Sequence, residues 1–83
     1  MTTEPLPVEH FELVTELRAT AERVIAGIAE REHRPVEPAE IDGAFSFGLA
    51  TAVHTGLLDA SYLDLAPDEH AVDVAQRLFT ADA

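Results

Sequence analysis

The side chains of this 83-residue chain that could do chemistry are four histidines, sixteen carboxylates, two serines, seven threonines and one tyrosine. Cysteine is absent, so there is no thiolate nucleophile and no disulfide framework, and only histidine and carboxylate remain as metal ligands. The segment Glu30-Arg31-Glu32-His33 has the Glu-x-x-His spacing of carboxylate-bridged di-iron bundles, whose ligands must project into the bundle interior. On a helical wheel Glu30 points about 160° away from the apolar stripe of its own helix. His33 falls in the last turn before Pro35. The pair therefore reads as a solvated helix end, and no metal is expected there.

The other histidines are weighed the same way. His54 is the one titratable group in an uncharged stretch, and no carboxylate lies three or four residues away to orient it. A lone histidine on an apolar face is expected to pack against a core or interface rather than serve as a general base. His10 lies on the apolar side of the first helix beside Glu9 and Glu12, and His70 sits among Asp68, Glu69 and Asp73 at a helix start. Ser46, Ser61, the threonines and Tyr62 are the hydroxyl nucleophiles available. None stands in a Gly-x-Ser-x-Gly elbow or a Ser-x-x-Lys arrangement, and there is no glycine-rich phosphate loop. Neither a catalytic residue nor a cofactor is expected.

These groups must be positioned by helices. Proline and glycine divide the chain into four helical patterns, and no run shows the strict alternation of a strand. The reading is all-α: a small helical bundle with a long first helix, a central uncharged second helix, a short helical turn and a final helix, in one domain over residues 1–83. Helix one is expected over 8–34, stopped ahead of Pro35 because proline disfavours helical geometry in the residue before it. Its stripe is Phe11, Val14, Leu17, Ala21, Val24, Ile25 and Ile28, and Gly27 is a weak point or a place of close approach. Pro38 opens helix two, expected over 39–55 and stopped by Gly56. A turn over 57–65 and a helix opened by Pro67-Asp68-Glu69 and running to 80 complete the order. Its stripe is Ala71, Val72, Ala75, Leu78 and Phe79. Residues 1–7 and 81–83 are expected to be flexible.

Within helix two, Gly43-Ala44-Phe45-Ser46-Phe47 is similar in outline to the Gly-x-Asp-Ser-Leu pattern of acyl and peptidyl carrier proteins. Those are small, acidic four-helix domains whose serine, at the start of the second helix, carries a phosphopantetheine arm. The long helix, short turn and final helix that follow also resemble the carrier order over the second half of the chain. The resemblance implies Ser46 as an attachment site. The chain departs from the pattern at Phe45, where carriers have aspartate, and at Phe47, where they have leucine. Its continuous first helix leaves no room for the long carrier loop, and Ser46 falls inside helix two rather than at its cap. The competing reading is a plain helical serine.

Composition bounds the partners. Hydrophobic residues make up 47% of the chain, or 39 of 83, but 14 of the 39 are alanine, so 25 larger apolar side chains must build the core. Sixteen acids against five basic residues, all arginine (Arg18, Arg23, Arg31, Arg34 and Arg77), give a net charge of −11. Direct binding to a phosphate backbone needs clustered Lys and Arg, so nucleic acid is not an expected partner. The profile fits a high-GC or salt-adapted bacterium, and the lack of a basic, apolar amino-terminal run predicts a cytoplasmic protein. Two acidic stretches, Glu4, Glu9, Glu12 and Glu16, and Asp59, Asp64, Asp68, Glu69 and Asp73, admit a DNA-mimic inhibitor of a nucleic-acid-binding protein. Their ordinary meaning is a solvated face.

Residues 43–58 carry no formal charge. On the wheel Ile41, Phe45, Gly48, Leu49 and Ala52 make one apolar face, while Phe47, Ala50, His54 and Leu58 make a second. Either helix two is simply central, or the second face is an interface to a second copy or a protein partner. Membrane insertion is not expected, since a span needs about 20 apolar residues and Ser46, Thr51, His54 and Thr55 interrupt this one. The functional expectation is a small acidic interaction module or accessory subunit without catalysis. The alternatives are a carrier-like protein using Ser46 and the acidic mimic.

Overall fold

The computed structural model describes residues 8–81, with side chains from His10 to Thr80. Three α-helices and one 3-10 helix follow in order: α1 (Val8–Arg31), α2 (Pro38–His54), the 3-10 helix (Ala60–Leu65) and α3 (Glu69–Ala81). No strand occurs among the described residues, and the fold is all-α as expected. Of the ends expected to be flexible, Ala81 closes α3, and residues 1–7 and 82–83 lie outside the described residues.

The α1–α2 connection differs from expectation. α1 stops at Arg31, three residues short of the expected Arg34, because His33 adopts a left-handed backbone with φ 55°. His33 N–H then bonds to Glu30 C=O at 3.2 Å and Arg34 N–H to Ala29 C=O at 3.0 Å, the pair of bonds that defines a Schellman cap. α2 ends by the same device. Gly56 has φ +84°, its N–H bonds to Val53 C=O at 3.1 Å, and Leu57 N–H bonds to Ala52 C=O at 2.9 Å. One cap uses glycine, which adopts this geometry freely; the other imposes it on a histidine.

α2 is central. It packs on α1, on α3 and on the 3-10 helix. α1 runs antiparallel to it, with Leu17 beside Gly48, where an added Cβ would lie 3.3 Å from Leu17 Cδ2. α3 runs alongside α2 in the same direction, since Asp68 meets Ser46 at one end and Phe79 meets His54 at the other. Gly27, by contrast, has nothing within 4 Å of where a Cβ would stand, so it marks no close approach.

The main core joins Ala21 of α1 to Phe45, Leu49 and Ala52 of α2 and to Leu58 and Tyr62, with Leu13, Val14 and Leu17 packed around it. On the α3 side the buried groups are small: Ser46, Ala50 and Ala75. The apolar stripe expected on α1 is narrower than drawn, because Phe11 and Val24 stand 64% and 51% exposed while Ala29 is buried. The molecule is elongated, 51 × 30 × 17 Å, with a Cα radius of gyration of 14.0 Å; a chain of this length usually has about 12 Å. No helix among the described residues is long and apolar enough to cross a membrane.

Candidate functional site

Ser46 is fully buried in the middle of α2, and its Oγ accepts a hydrogen bond from Asp68 N–H at 2.9 Å. Asp68 precedes α3 and accepts on Oδ1 from Ala71 N–H at 3.1 Å, which satisfies one of the helix's free amides as an N-cap. The serine thus fastens α2 to the start of α3. An arm on this hydroxyl would have to displace Asp68 and open the α2–α3 packing, so the geometry is that of a structural serine.

The four residues expected to share one interface face are divided by the fold. Ala50 and Leu58 are interior, 2% and 4% exposed. Ala50 turns toward α3, and Leu58 lies beyond the end of α2, after the reversal at Gly56, where the helical wheel no longer applies. Only Phe47, 37% exposed, and His54 remain at the surface. The His54 ring stacks on Phe79 with centroids 4.6 Å apart and planes 17° from parallel, tying the end of α2 to the end of α3.

His10 and Tyr62 meet edge to face, with ring centroids 5.5 Å apart and planes at 82°. His10 Nδ1 and Tyr62 OH are both buried without a hydrogen-bond partner among the described residues. Nothing in the sequence pairs these two residues, which are 52 positions apart. Glu30 and His33 are exposed, and among the described residues no group of three or more His, Asp or Glu side chains is placed to hold a metal ion. His70 is an exposed residue in the first turn of α3, and Ser61 Oγ donates to Asp59 Oδ2 at 3.0 Å.

Most of the arginines are engaged. Arg34 grips the carboxylate of Glu40 with both terminal nitrogens, one at 2.8 Å, and donates from Nε to Glu32 at 2.6 Å. The hydrogen bond from Arg34 lowers the Glu40 carboxyl below its usual value of 4.5, and hydrogen bonds to Glu40 and then Glu32 raise the Arg34 guanidinium further above its already high value. Arg18 donates to Asp42 at 2.9 Å, lies 3.5 Å from Glu22 and places its guanidinium carbon 5.4 Å from the Phe45 ring centroid. Arg77 pairs with Asp73 at 3.1 Å.

What sequence reasoning missed is the pair of outward leucines after α2. Leu57 and Leu65 are 60% and 52% exposed while Leu58 and Tyr62 between them are buried. The available signal was the adjacent pair Leu57-Leu58, of which a short turn can bury only one. The chain matches no protein-family model, no curated protein and no solved structure.

Proposed function

We propose that this chain is a small acidic protein–protein interaction module, an adaptor or accessory subunit that acts by contact and has no reaction of its own. One observation carries the reading. Among the described residues eight large apolar side chains stand exposed (Phe11, Val24, Val36, Phe47, Leu57, Leu65, Val74 and Leu78), whereas only Ile25, Phe45, Leu49, Leu58 and Tyr62 are buried. Singly exposed leucines are ordinary on any surface. An excess of exposed over buried large apolar groups in one small fold is not, and docking against another protein removes that area from water.

Self-association through Phe47 is one form of such contact, since this ring lies in the uncharged run 43–58 on the helix at the centre of the fold. Sedimentation of the full chain and of Phe47→Glu tests it. A dimer that becomes a monomer while helical circular dichroism persists supports a homodimer contact at Phe47, and a monomer in both cases directs the reading to a different protein partner. Native mass spectrometry tests the module reading as a whole. A bound cofactor, or phosphopantetheine on Ser46, would count directly against it. A salt-sensitive complex with a DNA-binding protein would favour the acidic mimic instead.

A further inference from the structure

Ion pairing inside the fold leaves the acidic charge unevenly balanced. From Pro35 to Gln76 the chain runs 42 residues with eight carboxylates and no Arg or Lys. Glu40, Asp42 and Asp73 of these are matched by Arg34, Arg18 and Arg77. Glu37, Asp59, Asp64, Asp68 and Glu69 have no ion-pair partner among the described residues, and the last four fall within eleven residues from the N-cap of the 3-10 helix to the first residue of α3. The same stretch carries the outward leucines Leu57 and Leu65, and buried Leu58 and Tyr62 hold it down on the core. Phe11, 64% exposed, follows His10, whose ring touches Tyr62.

We infer that this stretch, in which exposed Leu57 and Leu65 alternate along the chain with the unmatched Asp59 and Asp64, is a ridge that docks a basic amphipathic segment of another protein. The inference rests on the reading of the chain as an interaction module and names its partner's chemistry. Apolar contact alone would accept any hydrophobic surface, a second copy included. The unmatched carboxylates decide between them: a second copy would set the same unmatched carboxylates against this stretch and oppose docking there, whereas a lysine- or arginine-bearing helix would supply the missing charge and be steered to the ridge. Because the ridge is fastened by its buried side chains, little ordering is needed when it is covered.

The test uses the full chain and three synthetic peptides of about four helical turns, patterned as Leu with Lys, Leu with Glu, and Ser with Lys. Fluorescence anisotropy should show the Leu–Lys peptide binding at least about tenfold more tightly than either control, with affinity falling as ionic strength rises from about 0.05 M to about 0.5 M. Leu57→Ser with Leu65→Ser should weaken that binding about tenfold, while Val24→Ser, on α1 away from the ridge, leaves it unchanged. Both variants alter exposed side chains, and circular dichroism verifies that each is folded. Equal binding by the Leu–Glu peptide, or no loss in the double leucine variant, overturns the proposal. If no peptide binds, the basic partner is wrong whether or not the chain self-associates; the interaction module itself falls only if native mass spectrometry finds a bound cofactor or phosphopantetheine on Ser46.

Discussion

Ser46 Oγ receives the backbone N–H of Asp68 across the α2–α3 boundary, and the same Asp68 then caps α3 through Ala71 N–H. One hydroxyl therefore sets where the last helix begins. Ser46→Ala keeps the volume nearly constant but strands the part-buried Asp68 amide, which costs up to about 1–3 kcal/mol. For a domain of this size each kcal/mol lowers Tm by about 4–8 °C. Thermal unfolding followed by circular dichroism measures this, and a Tm equal to wild type would show that the bond carries no stability.

Tyr62 offers the opposite case. Its hydroxyl is buried with no partner among the described residues, as is Nδ1 of His10, whose ring meets the Tyr62 ring edge to face. Deleting a buried polar group that makes no hydrogen bond removes a desolvation penalty. Tyr62→Phe should be neutral or stabilising by about 1 kcal/mol in urea unfolding. A loss larger than that would reveal a hydrogen bond through water.

The two Schellman caps predict changes of opposite sign. His33 holds φ 55° with a side chain, and Gly56 holds φ +84° without one. A left-handed L-residue is disfavoured by about 1–2 kcal/mol, offset in part by the greater unfolded-state entropy of glycine. His33→Gly should therefore stabilise by about 0.5–1 kcal/mol. Gly56→Ala should destabilise by about 1–2 kcal/mol, through the backbone alone because no atom lies within 4 Å of the new Cβ. Urea midpoints with unchanged m-values would identify both as pure stability effects.

Acid should remove the contribution of the Arg34 clamp. The hydrogen bond from Arg34 depresses the folded-state value of Glu40 below the ordinary 4.5. A depressed carboxyl value stabilises the fold at pH above the unfolded value, and that contribution is lost as pH falls through the folded value. Glu40→Gln should thus be less stable than wild type near neutrality, with the difference shrinking below pH 4.5 and vanishing once the wild-type carboxyl is protonated. Parallel pH–Tm curves for the two proteins would refute it.

At a net charge of −11 self-repulsion opposes folding, and salt screens it over a Debye length that falls from about 30 Å at 0.01 M to about 8 Å at 0.15 M. The Tm of the wild-type chain should rise over that interval. A fall would mean that the arginine ion pairs outweigh the repulsion.

The helix order was legible because proline and glycine punctuate it: Pro38 stands at the start of α2, Gly56 reverses the chain after it, and α3 begins after Pro67. The centrality of α2 was legible in the uncharged run 43–58 that makes up most of it. The end of α1 was not, since a left-handed His33 follows from the local capping bonds and not from any strong residue preference. Of the expected interface residues, Ala50 and Leu58 are interior for two distinct reasons. Extending the wheel of α2 to Leu58 carried it past Gly56, and Ala50 could be assigned to solvent or to α3 only once the direction of α3 was known. The contact between His10 and Tyr62 depends on tertiary packing across 52 positions, and no periodicity encodes it.

α1 and α3 both lean on α2 and share no substantial surface with each other. Their energies should accordingly be separable: in a double-mutant cycle a change in Leu17 and a change in Ala75 should add to within about 0.3–0.5 kcal/mol, while Leu17 should couple to a change in Leu49, which shares its cluster. The chain then behaves as two helical arms on one axle. An event at one arm reaches the other by shifting α2, or through the His10–Tyr62 contact onto the 3-10 helix that leads into α3.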